Sequence, residues 1–269
     1  VQFCPAPLTG QVSGCVASDG RSGVSNRSKA LYGQATFNFG AVSPSLESLR
    51  LTAGYRYTWD RISGFSSSWA TNPSTGAFTC SFGSPAGQTV PAGVDPAAFC
   101  NFSATLKSKA PTWTVGLDYR PMRDLLVYAK VSRGYKSGGF NTFAVRPETQ
   151  TFAPEKLTTY EAGFKSDWRL GDAPVRLNAT YYYSDYTGIQ RPGGDFVFIT
   201  LPDGSATGAG GAAIFSAEAT IQGVELEASI RPHPDVEIGG AMSYAHGKYK
   251  SYDTISFGGS YCNGSVPFG

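Results

Sequence analysis

Side chains able to do chemistry are few in this chain. Its 269 residues include two histidines. His246 has Ser243 and Asp253 close by in sequence, the residue types of a hydrolase whose serine is activated by an oriented histidine. His233 sits among the turn formers Pro232, Pro234 and Asp235. Nothing in these spacings separates the residues from structural ones in a serine-rich chain, so catalysis is not expected. Cysteines occur at 4, 15, 80, 100 and 262, without the CxxC spacing of a zinc site, and no metal or cofactor is expected. They fall in turn-rich segments, where Cys4 with Cys15 and Cys80 with Cys100 would each close a loop. Cys262 is then left over. Loop disulfides point to an oxidising compartment, the periplasm or the cell surface.

The ionisable residues follow another logic: they alternate with apolar ones. Across 175–190, Val175, Leu177, Ala179, Tyr181, Tyr183 and, past a break at Asp185, Ile189 share one phase. Arg176, Asn178, Thr180, Tyr182, Ser184, Tyr186 and Gln190 share the other. Such a period of two marks a strand with one apolar and one polar face. Its partner at 157–169 sets Tyr160, Ala162, Phe164 and Trp168 against Thr159, Glu161, Lys165 and Asp167, after a turn at 170–174. Both strands are long beside the usual five or six residues.

Similar alternation predicts strands at 30–40, 48–62, 104–120, 125–135, 217–231 and 236–252, giving about eight in all. The apolar phase carries Tyr55, Tyr57, Trp59, Trp113, Tyr119 and Tyr135, and the polar phase carries Arg50, Arg56, Glu225 and Glu227. Residues 1–29, 63–103, 137–154 and 191–216 read as loops. Tight turns near 41–47, 121–124, 170–174 and 232–235 alternate with these longer connections. Short turns at one end and long loops at the other characterise an outer-membrane barrel, whose apolar face meets lipid and whose polar face lines a wet interior. Charged residues are 16% and aromatics 13%, and no apolar run reaches the 18 or so residues of a spanning helix. A secreted β-sandwich, with the same apolar face turned inward, fits this sorting of connections less well. The net charge of +2, without a basic block, gives no sign of nucleic-acid binding. The chain starts without Met and its last residues read as loop, so we expect an excised part of a longer protein. Such a part, with sheet edges and an aromatic surface uncovered, is expected to aggregate without detergent.

Four stretches give a more specific indication. Ser132-Arg133-Gly134-Tyr135-Lys136-Ser137-Gly138-Gly139-Phe140-Asn141 resembles the S-x-G-Y-K-x-G-G-F-N signature of TonB-dependent outer-membrane receptors. Pro154-Glu155, with Tyr160-Glu161-Ala162-Gly163-Phe164-Lys165, is similar to the segment that follows it in that family. Residues 181–190 resemble its YY.DY..IQ strand, and Gly223-Val224-Glu225-Leu226-Glu227 its G.E.E strand. The resemblance covers roughly residues 104–250.

The resemblance implies an all-β fold: 1–269 as part of an antiparallel transmembrane barrel, most simply an open curved sheet when taken alone. Family barrels have twenty-two strands and a lumen plugged by an N-terminal domain. It further implies active import of a scarce nutrient, such as a ferric siderophore, cobalamin, a sugar or haem. Energy would come from the inner-membrane TonB complex acting on the plug. This sequence contains neither plug nor TonB box. A passive porin-like channel and a secreted β-sandwich binding protein are the alternatives. In the barrel reading, Tyr55, Tyr57, Trp59, Trp113, Tyr119, Tyr135, Phe164, Trp168, Tyr181 and Tyr183 face lipid. Arg133 then meets anionic headgroups or lipopolysaccharide phosphates, and Lys136 touches plug or loops. Gly134 either leaves space toward the lumen or, with its neighbouring glycines, lets the strand bend as it leaves the membrane. Lumenal charges are expected to pair across strands or face the plug, and ligand contacts to come from the long loops.

Overall fold

Alternating residues carry the chain through a meander of antiparallel strands. A computed structural model describes residues 2–3, 16–72, 75–82, 86–200 and 206–252. In chain order the strands are β1 (Gln2–Phe3), β2 (Val16–Asn38), β3 (Leu49–Thr71), β4 (Phe78–Phe82), β5 (Asn101–Met122) and β6 (Leu125–Lys136). There follow β7 (Gly139–Phe140), β8 (Thr151–Phe152), β9 (Glu155–Leu170), β10 (Ala173–Thr200), β11 (Ala206–His233) and β12 (Val236–Tyr252). One open, curved sheet runs β1-β2-β3-β5-β6-β9-β10-β11-β12, with β4 hung from β3; β7 and β8 pair separately. Each long strand thus neighbours the one before it in sequence, and the chain needs no crossover.

The four tight connections lie together at one end. Two single 3-10 turns, Phe39–Ala41 and Pro44–Leu46, link β2 to β3. Met122 faces Leu125, Leu170 faces Ala173 and His233 faces Val236 across the other three. At the opposite end the strands outrun expectation. Val16–Asn38 takes in half of the segment read as an N-terminal loop, and Leu49–Thr71 extends past the expected end at 62. Residues 191–216, read as a Gly- and Ala-rich loop, belong largely to β10 and β11, which stay paired out to Thr200 and Ala206. Ladder hydrogen bonds come from backbone groups, so a segment without side-chain alternation can still pair.

Directly opposed residues share a face. Tyr119, Val127, Phe164, Ala179 and Leu226 are successive partners across five strands. Asp118, Tyr128, Gly163, Thr180 and Glu225 form the adjacent row on the other face. There the Tyr128 ring lies against Gly163, and its hydroxyl is 2.9 Å from Thr180 Oγ1. A bulge at Thr187–Gly188 lets Ile189 pair with Ala217, so Ile189 leaves the apolar phase assigned to it and joins the inner face.

Beyond the sheet, Cys80 lies within β4, not in a turn, and is disulfide-bonded to Cys100 at the end of the short helix α1 (Pro96–Phe99). Trp69 and Val90 pack on this disulfide, with Phe78, Ala97 and Phe99 at its rim. Cys4, Cys15 and Cys262 lie outside the described residues.

Candidate functional site

The loop at 137–154, between β6 and β9, folds across the inner face at the long-loop end. It is shaped by the β7–β8 pair, with Gly139 opposite Phe152 and Phe140 opposite Thr151. Gly138 has no room for a side chain, because a Cβ there would run into the Phe152 carbonyl oxygen.

Three polar anchors hold the loop to β10 and β11. The Asn141 amide donates to Thr149 O at 2.6 Å and Ile214 O at 3.4 Å, and its oxygen accepts from the Ile214 N–H at 2.9 Å. Pro192, the cross-strand partner of Ile214, has no N–H to offer the Ile214 carbonyl, and the Asn141 amide supplies one. The second anchor is Asp195, fully buried on β10. Its carboxylate accepts from Thr149 Oγ1 (2.5 Å), Arg146 Nε (2.5 Å) and the backbone N–H groups of Val145 (2.8 Å) and Arg146 (3.2 Å). Burial alone would push the carboxyl up, but the bonds from Thr149, Arg146 and the two backbone groups outweigh it and hold it below the usual carboxylate range. The third anchor is Gln190, whose amide donates to Ser137 O (2.8 Å) and Ala153 O (3.2 Å) while its N–H donates to Glu155 (3.0 Å).

On its other side the loop reaches β3. Phe140 lies on Gly64, and Ser66 Oγ donates to Thr142 O at 2.9 Å. The loop therefore ties β3 to β10 and β11, strands that β5, β6 and β9 separate within the sheet. Signature residues from three separate stretches, Asn141, Glu155 and Gln190, meet in this one assembly. Asp195, Arg146 and Thr149 were not singled out from the sequence. The only signal was an acid between Gly194 and Phe196 in an otherwise uncharged run.

The remaining inner-face positions carry pairs. Lys130 Nζ is 3.0 Å from Glu161, and Asn178, which pairs with Lys165, reaches Glu227 at 3.2 Å. Glu225 lies between Thr180 and Ser243, and Gly223 lies against the Tyr182 ring. Arg50 pairs with Asp118, and Arg56 donates to Thr58 at 3.2 Å. Ser132 pairs with Thr114 and Thr159, and Gly134 with Leu157, whose carbonyl oxygen would meet a Cβ at 3.9 Å, an ordinary contact. Lys136 pairs with Glu155, and the Pro154 carbonyl closes on Gly188.

Tyr55, Trp59, Tyr119, Tyr160, Trp168 and Tyr181 are exposed on the opposite face. Tyr57, Trp113, Phe164 and Tyr183 share that face and are half-buried among their neighbours. Arg133 lies there too, opposite Trp113. Tyr135 departs from the expected belt. β5 and β6 stop pairing at Trp113–Arg133, and the buried Tyr135 hydroxyl turns toward Asp60 and Ser108. The parting of the strands gives the ring room to turn inward, and its buried hydroxyl makes no hydrogen bond there to any described residue.

The hydrolase residues do not converge. His246 pairs with Gln222 and Ser243 with Glu225, which puts them on opposite faces of β12; Asp253 lies outside the described residues. His233 is 3.6 Å from Asp235 within its turn. No group of three or more His, Cys, Asp or Glu side chains suited to a metal occurs among the described residues.

The family described as TonB dependent receptor-like, beta-barrel matches residues 4–267. Among solved structures, the ferric yersiniabactin uptake receptor FyuA from Yersinia pestis is similar at 18% identity and TM-score 0.55, over 87% of this chain and 28% of FyuA. The copper transporter OprC is similar at 20% identity and TM-score 0.48, over 85% of this chain and 30% of its own. The alcaligin receptor FauA from Bordetella pertussis gives 14% identity and TM-score 0.39, over 89% and 41%. This chain thus spans under half the length of each.

Proposed function

The chain belongs to the TonB-dependent receptor-like β-barrel family, whose members are outer-membrane proteins of Gram-negative bacteria, and from that premise we propose that it is part of a receptor importing a scarce nutrient, a ferric siderophore by preference. The family match over residues 4–267 carries this reading. The fold likeness to FyuA, itself a ferric yersiniabactin uptake receptor, favours an iron complex over other cargoes. In this reading the plug and the remaining strands belong to the rest of the receptor, and TonB supplies the energy through that plug. Lipid covers the aromatic face, and the charged face lines the lumen.

The chain's own residues supply support and positioning. The loop at 137–154 is held on the inner face at the outer mouth, where a ligand arriving from outside would meet it. Its anchors are hydrogen bonds and a buried ion pair, which fix a backbone without activating a nucleophile. No catalytic role is proposed. The test is growth under iron limitation of a strain lacking its own siderophore receptors and carrying the intact receptor. Growth on one ferric siderophore that disappears on deletion of tonB is expected. Uptake that persists without TonB would instead mark a passive channel.

A further inference from the structure

We propose that the outward face of β2, β3 and β5, immediately beyond the aromatic rows, binds the phosphorylated sugar headgroup of an outer-leaflet glycolipid, lipopolysaccharide. The register places Lys29 and Lys109 on either side of Trp59. Two residues further out, Arg27 and Lys107 flank Arg61. All five cations are exposed. The alternate positions Thr58, Asp60, Ile62 and Ala110 are buried on the other face. From strand spacing and the two-residue repeat, five positive charges share a patch of about 10 by 7 Å.

None of the five has an ion-pair partner among the described residues. Asp60, the nearest acid along β3, points to the opposite face. Like charges placed directly opposite each other destabilise a sheet. Arg27–Arg61 and Arg61–Lys107 are two such pairs side by side. Packing does not call for them, since the side chains are exposed. An anion at the patch would convert the repulsion into charge-assisted hydrogen bonds.

Height selects the anion. At about 2.6 Å of climb per residue, Trp59 and Arg61 stand roughly 26 and 31 Å above Leu49, at the outer border of an apolar band about 25 Å tall. Below the cations the same face is apolar, with Leu31, Tyr55 and Tyr57. Above them come the hydroxyls of Ser25, Ser63 and Thr105, then Gly23, Phe65 and Ser103, lining an open groove of about 740 Å³. Apolar, cationic and hydroxyl-bearing rows follow one another outward. Acyl chains, phosphates and sugars follow in the same order in a phosphorylated glycolipid. The inference rests on the outer-membrane placement and not on the identity of the cargo.

The test uses the full receptor, extracted from outer membranes and assayed for lipopolysaccharide bound per receptor. Arg61→Glu with Lys107→Glu, and separately Arg61→Ser with Lys107→Ser, should retain at least about tenfold less than the wild type. The wild type, stripped and re-exposed, should take up native lipopolysaccharide and discriminate by a similar factor against the dephosphorylated form. Equal retention by variants and wild type, or equal uptake of the two glycolipids, overturns the proposal. Displacement of the glycolipid by inorganic phosphate alone also overturns it, marking a free-anion site. Should the glutamate pair not assemble, the serine pair and the two-glycolipid comparison still decide. No arm reads nutrient uptake, so a wrong cargo leaves the result intact.

Discussion

Arg146 Nε stands 2.5 Å from Asp195 Oδ1, joining a loop residue to a strand residue 49 positions later whose side chain is fully buried. Without Asp195, Arg146 keeps Glu148 at 3.3 Å, but the buried Val145 N–H loses its acceptor, at a cost of about 1–3 kcal/mol. Asp195→Ala is therefore expected to free the loop from β10 and β11. In the assembled receptor, cleavage by chymotrypsin after Phe143, an exposed residue of the same loop, should become fast in the variant and remain slow in the wild type. An unchanged cleavage rate would show that the loop is held by other means.

The same pair sets a pH dependence. The Asp195 carboxyl is held below the usual carboxylate range, so its folded value is lower than its unfolded one. Its contribution is then complete above the unfolded value of about 4 and is lost only as pH falls through the folded value. Loop protection, read by hydrogen exchange of residues 143–149, should be level from pH 7 to pH 5 apart from the intrinsic exchange rate. It should collapse only in stronger acid, and Asp195→Asn should abolish that acid step.

Cys80 and Cys100 are 20 residues apart and pin β4 and α1 onto the Trp69 cluster. Closing a loop of this size stabilises by about 3 kcal/mol, chiefly through the unfolded chain. Replacing both cysteines by serine should therefore loosen residues 72–100 and leave the paired parts of β3 and β5 in place. Proteolytic mapping would check this: new cuts confined to that segment are expected, and cuts within 49–62 or 104–120 would contradict it.

Much of this was legible in the residues, and what was hidden has two causes. Alternation found the eight long strands and their tight turns because lipid and water impose different chemistry on the two faces. It failed at 16–29, where backbone pairing continues through a Ser- and Gly-rich stretch, and again where a third surface, the loop at 137–154, covers the inner face. Beneath that loop Gly211, Ala213 and Ala217 are small because another chain segment lies close, and Ala213 and Ala217 are buried. Small residues on a covered face read as loop. Asp195 was invisible for the same reason, since its meaning lies in four donors supplied from 46 to 50 residues away. Gly138 and Asn141 could be marked as parts of a signature, but what they touch, Phe152 O and Ile214, required the fold.

Leu117 and Asp118 test the two faces directly. Leu117 is exposed on the aromatic face, and Asp118 faces Tyr128 on the other. Leu117 stands five residues from Met122, about 13 Å up and near the middle of the apolar band. A lysine there should cost about 2–4 kcal/mol in the membrane. Asp118→Lys, facing a wet interior, should cost far less. Heat-modifiable gel mobility after assembly should fall for the first variant and hold for the second; the reverse ranking would invert the assignment of faces.

Asn141 offers the sharpest separation of steric from polar effects. Its amide gives two bonds to carbonyl oxygens and takes one from the Ile214 N–H. Asn141→Ala leaves those buried groups without partners, at about 1–3 kcal/mol. Asn141→Asp keeps the shape and the acceptor but sets a carboxylate against Thr149 O and Ile214 O, where no hydrogen remains to share. The aspartate should therefore be worse than the alanine, although it is the closer match in size. Hydrogen exchange at the Ile214 amide reads the order: protection should fall from wild type to alanine to aspartate. An aspartate variant as protected as the wild type would mean that the N–H alone matters and that the amide's donors carry no weight.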